Sequence, residues 1–114
     1  MVEHIPMDEA FRALGDATRR DMLVALEGGP RTVSALAAPH AMSLAGASKH
    51  VAVLERAGLV QRQRQGRSHL ISLNPAPLAA AHAWLSRYQR FWEARLDALE
   101  AALQDPPDSE QKDP

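Results

Sequence analysis

The spacing of apolar residues along the first third of the chain is helical, and short breaks divide it. Apolar side chains recur every three or four residues, while Gly15, Gly28 and Pro39 interrupt the pattern. Asp16 and Thr32 stand where N-terminal caps are needed. The pattern therefore predicts three helices, over residues 8–14, 17–27 and 33–38.

A fourth helix is predicted to begin after Ser43 as its cap and to end near Ala57. Ala47, Val51 and Leu54 recur at intervals of four and three residues, so they are expected to form its buried stripe. The gap that separates this helix from the preceding one is about four or five residues, which is typical of a helix-turn-helix.

Two short segments with strand-like alternation follow the fourth helix, at residues 60–65 and 68–73. Apolar positions alternate there with Gln, Arg, Ser and His, and Gly66 lies between the two segments. This arrangement predicts a β-hairpin whose turn is Gln65-Gly66-Arg67.

Residues 43–71 are locally basic, although the net charge of the whole chain is −1. They contain five cationic side chains and one anionic side chain, which is a net charge of +4. In addition, no acidic residue occurs between Glu55 and Glu93. A basic helix and hairpin on a nearly neutral protein indicate a surface for a polyanion. The cations are Lys49, Arg56, Arg62, Arg64 and Arg67.

The last element is predicted to be one continuous helix over residues 75–104, capped by Asn74. Such a helix would be roughly 45 Å long, which is more than a domain of this size can cover. Its apolar positions form a near-heptad seam, the pattern of a helix that packs against a partner helix. We therefore predict a homodimer, with an interface that also includes Met7 and Phe11. The interface residues of the long helix are Leu78, Leu85, Tyr88, Trp92, Leu96, Leu99 and Leu103.

Composition narrows the class of protein further. The chain is 46% hydrophobic and 24% charged, which is typical of a globular domain. It contains no cysteine, which excludes disulfides and thiolate metal sites. No apolar run approaches a membrane span and no signal-peptide pattern is present, so we expect a cytoplasmic protein without membrane contact. The predicted organisation is a loose N-terminus at 1–7, one domain at 8–104 and a disordered acidic tail at 105–114.

Two stretches of the chain resemble the ArsR-type (arsenic-repressor-like) winged helix-turn-helix transcriptional regulators. They are FRALGDATRRDMLVAL and MSLAGASKHVAVLERAGLVQRQRQGRSHLISLNP, and the likeness covers about residues 8–104. Its strongest part runs from Ser48-Lys49-His50 to Gly66-Arg67. The resemblance implies a mainly α fold with a small β-hairpin, in the order α-α-α-α-β-β-α, that dimerises. It also implies that the fourth helix enters the major groove of DNA and that the hairpin lies along the phosphates or the minor groove.

Double-stranded DNA is therefore the expected partner, and the basic segment supplies the candidate contacts. We expect Ser48 and Lys49 to reach base edges, with Leu44 and Ala45 against thymine methyl groups. His50 has two interpretations, since it is either a DNA contact or a partly packed histidine. The full candidate set is Arg31, Thr32, Ser43, Leu44, Ala45, Ser48, Lys49, His50, Arg62, Arg64, Gln65 and Arg67.

The salt dependence of binding follows from the cations of this set. If Lys49, Arg62, Arg64 and Arg67 each neutralise one phosphate in each of two half-sites, the logarithmic salt slope is about −7. The half-sites of a pseudo-palindromic operator are expected to be one helical turn apart, about 34–36 Å.

The chain departs from the metal-sensing members of the family. Those members use cysteines on the recognition-unit helices or an Asp-x-His…His-x-x-Glu set on the last helix. Here Ala80 stands two residues before His82, and Leu96 occupies a position that would need a carboxylate. We therefore expect no metal and no cofactor, although a site formed by His4 and His82 across a dimer stays open.

The leading hypothesis is a homodimeric, sequence-specific DNA-binding regulator, most simply a repressor. One alternative is a winged-helix module that binds another protein through the aromatic cluster at Trp84 and Phe91. Another is a regulator that responds to an unidentified small molecule bound between the last helix and the DNA-binding unit. An enzyme is not expected, because the sequence has no cysteine nucleophile, no Gly-rich phosphate loop and no His-Glu-x-x-His motif.

Overall fold

The computed structural model of the chain describes residues 6–104. The predicted acidic tail, and residues 1–5 of the predicted loose N-terminus, lie outside this range. The chain divides into two compact units between Ala81 and His82. We refer to them as the N-terminal unit and the C-terminal unit, and each is described by itself.

The first two helices are close to their predicted positions. Helix α1 spans Pro6–Leu14 and helix α2 spans Ala17–Leu26. α1 thus begins two residues earlier than predicted, at a proline, which is favourable in the first turn of a helix. The Asp16 carboxylate accepts a hydrogen bond from the Arg19 amide at 3.1 Å, which confirms Asp16 as the cap of α2.

The helix-turn-helix consists of α3 (Val33–Ala37) and α4 (Leu44–Arg56), with a 3₁₀ turn at Ala38–His40 between them. Thr32 and Ser43 cap the two helices as predicted. Each hydroxyl accepts a hydrogen bond from the amide three residues later, at 3.1 and 3.0 Å respectively. These caps fix where both helices start, and hence which residues of α4 lie in its first turn.

The hairpin belongs to a three-stranded antiparallel sheet rather than standing alone. Strands β2 (Val60–Gln65) and β3 (Ser68–Leu73) were predicted, whereas β1 (Arg31–Thr32) was not. The strand order is β1-β3-β2, and β1 pairs with Leu70 and Ile71 of β3. A two-residue strand is too short to show alternation, so the sequence carried no signal for it.

The turn of the hairpin is one residue shorter than predicted. Gln65 pairs with Ser68, so the loop is Gly66-Arg67 alone. Gly66 has φ +61° while Arg67 does not have positive φ, which is the conformation of a type II′ turn. This turn type requires glycine at its first central position and matches the twist of the two strands.

The core of the N-terminal unit is formed by α2, α3, α4 and the sheet. The predicted stripe of α4 is confirmed, because Ala47, Val51 and Leu54 are all fully buried. Leu78, which was predicted to join the dimer seam, instead packs partly buried against this core. The largest fully buried side chains are Met22, Leu36, Val51, Leu54, Leu59 and Ile71.

The last helix is not continuous, and in this respect the sequence prediction was wrong. α5 (Ala76–Leu85) is followed by a 3₁₀ turn at Ser86–Tyr88 and then by α6 (Gln89–Gln104). The Ser86 hydroxyl donates to the His82 carbonyl at 2.8 Å, a contact that commonly bends helices. Otherwise the fold class is as predicted, mainly helical with a small hairpin and a long C-terminal helix. None of the helices within residues 6–104 is both long and apolar enough to cross a membrane.

Candidate nucleic-acid interface

An open groove of about 350 Å³ in the N-terminal unit lies between the starts of α3 and α4 and the hairpin. Hydroxyl and guanidinium groups provide most of its polar lining, and none of the described residues that line it is acidic. Such donor-rich linings suit the oxygens of a phosphate backbone. The polar residues on which we build are Thr32, Ser34, Ser48, Ser68, Arg62 and Arg67.

The first turns of α4 form one wall beside this groove. Leu44 and Ala45 are exposed, and no acidic residue occupies the first turn. Ser48 and Lys49 are exposed one turn further along. The predicted base-reading residues are therefore accessible to a large partner, and the free amides and positive dipole end of α4 favour an anion there.

Arg62 and Arg64 lie on the same face of the hairpin as a residue of the core. Arg62 is opposite the fully buried Ile71, and Arg64 is opposite His69. Since cross-strand neighbours share a face, Arg62, Arg64 and His69 continue the same face as Ile71 beyond the core. The alternating glutamines of β2, Gln65 included, occupy the opposite face and do not line the groove.

Arg62 is engaged by a carboxylate of α4. Its Nε donates to Glu55 Oε2 at 3.2 Å and its Nη2 donates to Glu55 Oε1 at 3.0 Å. The hydrogen bond to Glu55 raises the pKa of Arg62 above its ordinary value, and burial opposes the shift. Arg62 was expected to contact phosphate, and the structure places a carboxylate against its guanidinium while the residue still lines the groove.

The two remaining hairpin arginines are not paired with an acid in the described contacts. Arg64 folds over the turn, where its Nε donates to the Gly66 carbonyl at 3.3 Å. Arg67, in the turn itself, lines the groove. Both side chains are exposed and keep their positive charge available near the tip of the hairpin.

Two predicted DNA contacts are directed elsewhere by the structure. Arg31 donates from Nε to the Ala25 carbonyl at 3.3 Å, near the end of α2. His50 accepts from Arg19 Nη1 at 3.2 Å and lies 3.8 Å from Asp16 Oδ2, so its ring links α4 to α2. Neither residue lines the groove. The packed-histidine interpretation of His50 is the one that the geometry favours.

Three polar residues of the groove were missing from the candidate set. Ser34 follows the cap Thr32 by two residues, and Ser68 and His69 follow the turn directly. The sequence did carry a signal for His69, because strand alternation with a two-residue turn places it opposite Arg64. Ser34 and Ser68 are short polar residues beside a cap and a turn, where serine is common for local reasons.

The predicted dimer residues of α6 form an exposed apolar stripe. Trp92, Leu96, Leu99 and Leu103 are exposed by 54%, 61%, 55% and 75%. Side chains this large are rarely left in water over a contiguous surface of a soluble protein. The other predicted interface residues are less exposed; they are Leu85, Tyr88, Phe11 and Met7, while Leu78 is partly covered by the core.

The donor set of the metal-sensing family members does not fit the described part of this chain. Within residues 6–104, no three histidine, cysteine, aspartate or glutamate side chains come close enough to hold a metal ion. His4 lies outside the described residues, so the site proposed for His4 and His82 stays untested. The expectation that no metal is bound remains a prediction.

Comparison with known proteins agrees with this architecture. A family model described as a helix-turn-helix domain matches residues 14–63. The HTH-type transcriptional regulator Rv2034 of Mycobacterium tuberculosis is 37% identical over 89 residues, which cover 78% of this chain and 80% of that protein. Transcriptional repressor SdpR of Bacillus subtilis is 30% identical over 82 residues, which cover 72% of this chain and 91% of that protein.

Solved structures extend the likeness to three dimensions. The crystal structure of the ArsR family transcriptional regulator RHA00566 superposes with a TM-score of 0.71 at 38% sequence identity. The match covers 82% of this chain and 97% of that chain. The likeness in sequence and in fold shows that the chain belongs to the ArsR family of winged helix-turn-helix, DNA-binding transcriptional regulators.

Proposed function

We propose that the protein is a homodimeric repressor that binds a pseudo-palindromic operator in double-stranded DNA. The observation that supports this most directly is the acid-free groove, in which hydroxyls and guanidinium groups surround the exposed first turns of α4. A phosphate backbone matches that lining in charge and in hydrogen-bonding character. Operator binding that blocks transcription would make the protein a repressor, as the Bacillus subtilis relative is named.

The proposed base contacts come from α4. Ser48 and Lys49 are both exposed, Ser48 lines the groove, and Lys49 can donate to guanine O6 and N7. Leu44, which is 56% exposed, and Ala45 offer methyl groups to thymine. These four side chains would select the sequence, because the remaining contacts reach phosphate or sugar.

The proposed phosphate contacts are fewer than the sequence alone indicates. Arg31, His50 and Arg62 are omitted because each is engaged within the chain. Lys49, Arg64 and Arg67 in two half-sites then give a logarithmic salt slope of about −5 rather than −7. The uncharged part of the set is Thr32 and Ser43, whereas Gln65 is omitted because it lies on the opposite face of the hairpin.

A second copy of the chain is the proposed cover of the α6 stripe. A dimer would bury the exposed leucines and Trp92 against their counterparts, and heptad-like spacing suits a helix pair. Dimerisation would also present two α4 helices to half-sites about 34–36 Å apart. Binding of both half-sites by one molecule raises affinity well above that of a single unit.

Catalysis is not part of the proposal. Within the described residues, the groove holds one imidazole, His69, and no carboxylate, so it lacks an acid–base pair. Regulation by a cysteine-bound metal is excluded because the chain has no cysteine. A repressor would act where the DNA is, which is the cytoplasm in bacteria such as those of the two named relatives.

A protein effector is the second candidate, favoured by one observation. Phe91 is 64% exposed, and its ring lies 6.1 Å from that of Tyr88. It falls outside the predicted seam, so a dimer formed along that seam need not cover it. Phe91→Ala is expected to leave dimerisation and DNA binding unchanged while abolishing binding of such a partner.

DNA binding is tested by a gel-shift assay with fragments that co-purify with the tagged protein. We expect Lys49→Ala and Arg67→Ala each to weaken binding about tenfold and to make the salt slope shallower by about 1.8 per dimer. Arg56→Ala is the matched control, because Arg56 is exposed at the opposite end of α4. Wild-type affinity in both test variants would refute the proposal.

A further inference from the structure

One carboxylate lies within a long stretch of chain that otherwise has none. Between Glu27 and Glu93 the sequence contains a single acidic residue, Glu55. This stretch includes α3, α4 and the whole sheet, and hence every element of the proposed interface. A negative charge there opposes the approach of a phosphate backbone, so its position needs an explanation.

Glu55 is placed directly on an arginine of the hairpin. Both of its oxygens accept from the Arg62 guanidinium, at 3.2 and 3.0 Å, in a two-pronged geometry. The side chains of Arg62 and Glu55 are 30% and 34% exposed. Paired in this way, the two groups carry no net charge toward a partner, although Arg62 lines the groove.

The contact joins the two elements that would hold DNA. Glu55 is seven residues after Ser48 on α4, so both lie on the same side of the helix. Arg62 is anchored by its pairing with the buried Ile71 in the sheet. The ion pair therefore ties the Arg62 guanidinium to a carboxylate in the C-terminal part of α4.

The pair can contribute to folding stability, because a bidentate arginine–carboxylate contact is the best geometry for a surface ion pair, but exposed pairs are typically worth only about 0.2–1 kcal/mol. The effect of the pair on DNA binding is expected to exceed its effect on folding stability, since each phosphate that a protein neutralises releases counterions and strengthens binding. Removing one cation from this set weakens binding to all sequences, and so reduces non-specific binding without affecting base contacts.

We propose that Glu55 keeps the Arg62 guanidinium from contacting phosphate and thereby limits the affinity of the protein for DNA of any sequence. This role rests on the proposed DNA-binding function and adds to it. Base contacts from α4 are unaffected by the pair, and phosphate contacts carry no sequence information, so the pair lowers the affinity for operator and non-operator DNA by the same factor.

The test uses the full chain and a fluorescent mixed-sequence duplex of about 40 base pairs, long enough for two half-sites. Dissociation constants are measured by anisotropy from about 25 to 200 mM salt. The variants are Glu55→Gln, the double variant Glu55→Gln/Arg62→Gln, and Glu27→Gln. Glu27→Gln is the matched control, since it removes the same charge from an exposed position at the end of α2.

Freeing Arg62 adds up to two phosphate contacts per dimer. We therefore expect Glu55→Gln to bind at least fivefold tighter at 0.1 M salt, with an upper bound of about 60-fold, and its salt slope to be steeper by up to about 1.8. The double variant removes a pair of no net charge, so it should match wild type within about twofold. Thermal midpoints identify any variant that is less folded. If Glu55→Gln is such a variant, Glu55→Ala replaces it in the binding experiment.

Three results would overturn the role of Glu55. Glu55→Gln could bind no tighter than wild type, Glu27→Gln could gain as much, or the double variant could bind weaker with a shallower slope, which would mean that Arg62 already grips phosphate. A wild-type protein that ignores duplex even at about 25 mM salt would refute the proposed function itself. Wild-type binding without a gain in Glu55→Gln would refute the role of Glu55 alone.

Discussion

The two units of the chain treat their large apolar side chains in opposite ways. In the N-terminal unit Leu54, Leu59 and Ile71 are fully buried. In the C-terminal unit Leu96 and Leu103 are 61% and 75% exposed, and no residue of α6 is buried. Both units have helical apolar spacing, so the spacing alone does not distinguish a finished core from an uncovered stripe.

This difference assigns different tasks to the two units. The N-terminal unit satisfies its apolar pattern within one chain and can hold the groove in a fixed shape. α6 exposes its stripe and so requires another surface, for which we propose a second copy of the chain. The groove should then fold within a single chain. The apparent affinity of the protein for an operator, in contrast, should depend on protein concentration, because it requires the dimer.

The largest effect is expected from truncation in the core. Leu54→Ala should lower the free energy of unfolding by about 2–5 kcal/mol, because it leaves a cavity among fully buried side chains. Leu99→Ala, at a position 55% exposed, should cost less than about 1 kcal/mol at concentrations where the protein is monomeric. Urea unfolding measures both, and equal costs would contradict the comparison.

The next largest effect is on assembly. A charge at Leu96 would lie in the centre of the proposed seam, so Leu96→Asp should dissociate the dimer and weaken operator binding about 100-fold. Ala94→Asp is the control, since two residues along a helix lie on nearly opposite faces. Sedimentation and gel-shift assays report the two properties. A dimeric Leu96→Asp variant would exclude the seam as the interface.

A smaller effect, an increase in the free energy of unfolding, is expected from a substitution in the turn of the helix-turn-helix. Ala41 has φ +52° and ψ +36°, a left-handed conformation that is strained for alanine. Ala41→Gly should raise the free energy of unfolding by about 0.5–1 kcal/mol, since relief of strain exceeds the entropy that glycine loses. Ala52→Gly within α4 should instead cost about 1 kcal/mol. Destabilisation of both to the same extent would contradict this account.

The smallest effect concerns acid stability of the N-terminal unit. The hydrogen bond from the Arg19 amide lowers the pKa of Asp16 below its ordinary value of 3.8, and burial opposes the shift. A lowered folded pKa stabilises the fold above pH 3.8, and this contribution is lost as the pH falls through the folded value.

Asp16→Asn keeps a cap but cannot titrate, so its thermal midpoint should fall less steeply than that of wild type below about pH 4. Asp21→Asn removes a carboxylate from the exposed surface of α2 and serves as the control for net charge. Parallel acid profiles for wild type and Asp16→Asn would show that the cap charge makes no contribution.

Much of the fold follows from local chemistry. Asp16, Thr32 and Ser43 act as caps in the structure as they do in the sequence pattern, because a cap needs only the amide three residues later. The hairpin follows from alternation around Gly66 for the same reason. The local pattern did not predict β1, because two residues are too few to show a period. It also did not predict the 3₁₀ turn at Ser86–Tyr88, which interrupts an otherwise helical pattern.

The candidate site was only partly predictable, because charge in a sequence does not say where a side chain is directed. Arg62, Arg64 and Arg67 look equivalent in the chain, yet Arg62 is paired with Glu55, whereas Arg67 lines the groove with no acidic partner among the described contacts. His50 follows Lys49 directly, but it is bonded to Arg19 of α2. Such partners are 7 and 31 residues apart, and no local period links them.

The sequence by itself determined the helix starts, the hairpin, the family and the excess of positive charge in the segment that would meet DNA. These depend on neighbours a few positions apart or on composition, and both are visible in one dimension. The tertiary structure alone decided which cations have an acidic partner, that Ser34 and Ser68 join the groove, and that Leu78 packs against the core. Those outcomes depend on contacts between distant segments, because packing and ion pairing are set by proximity in space.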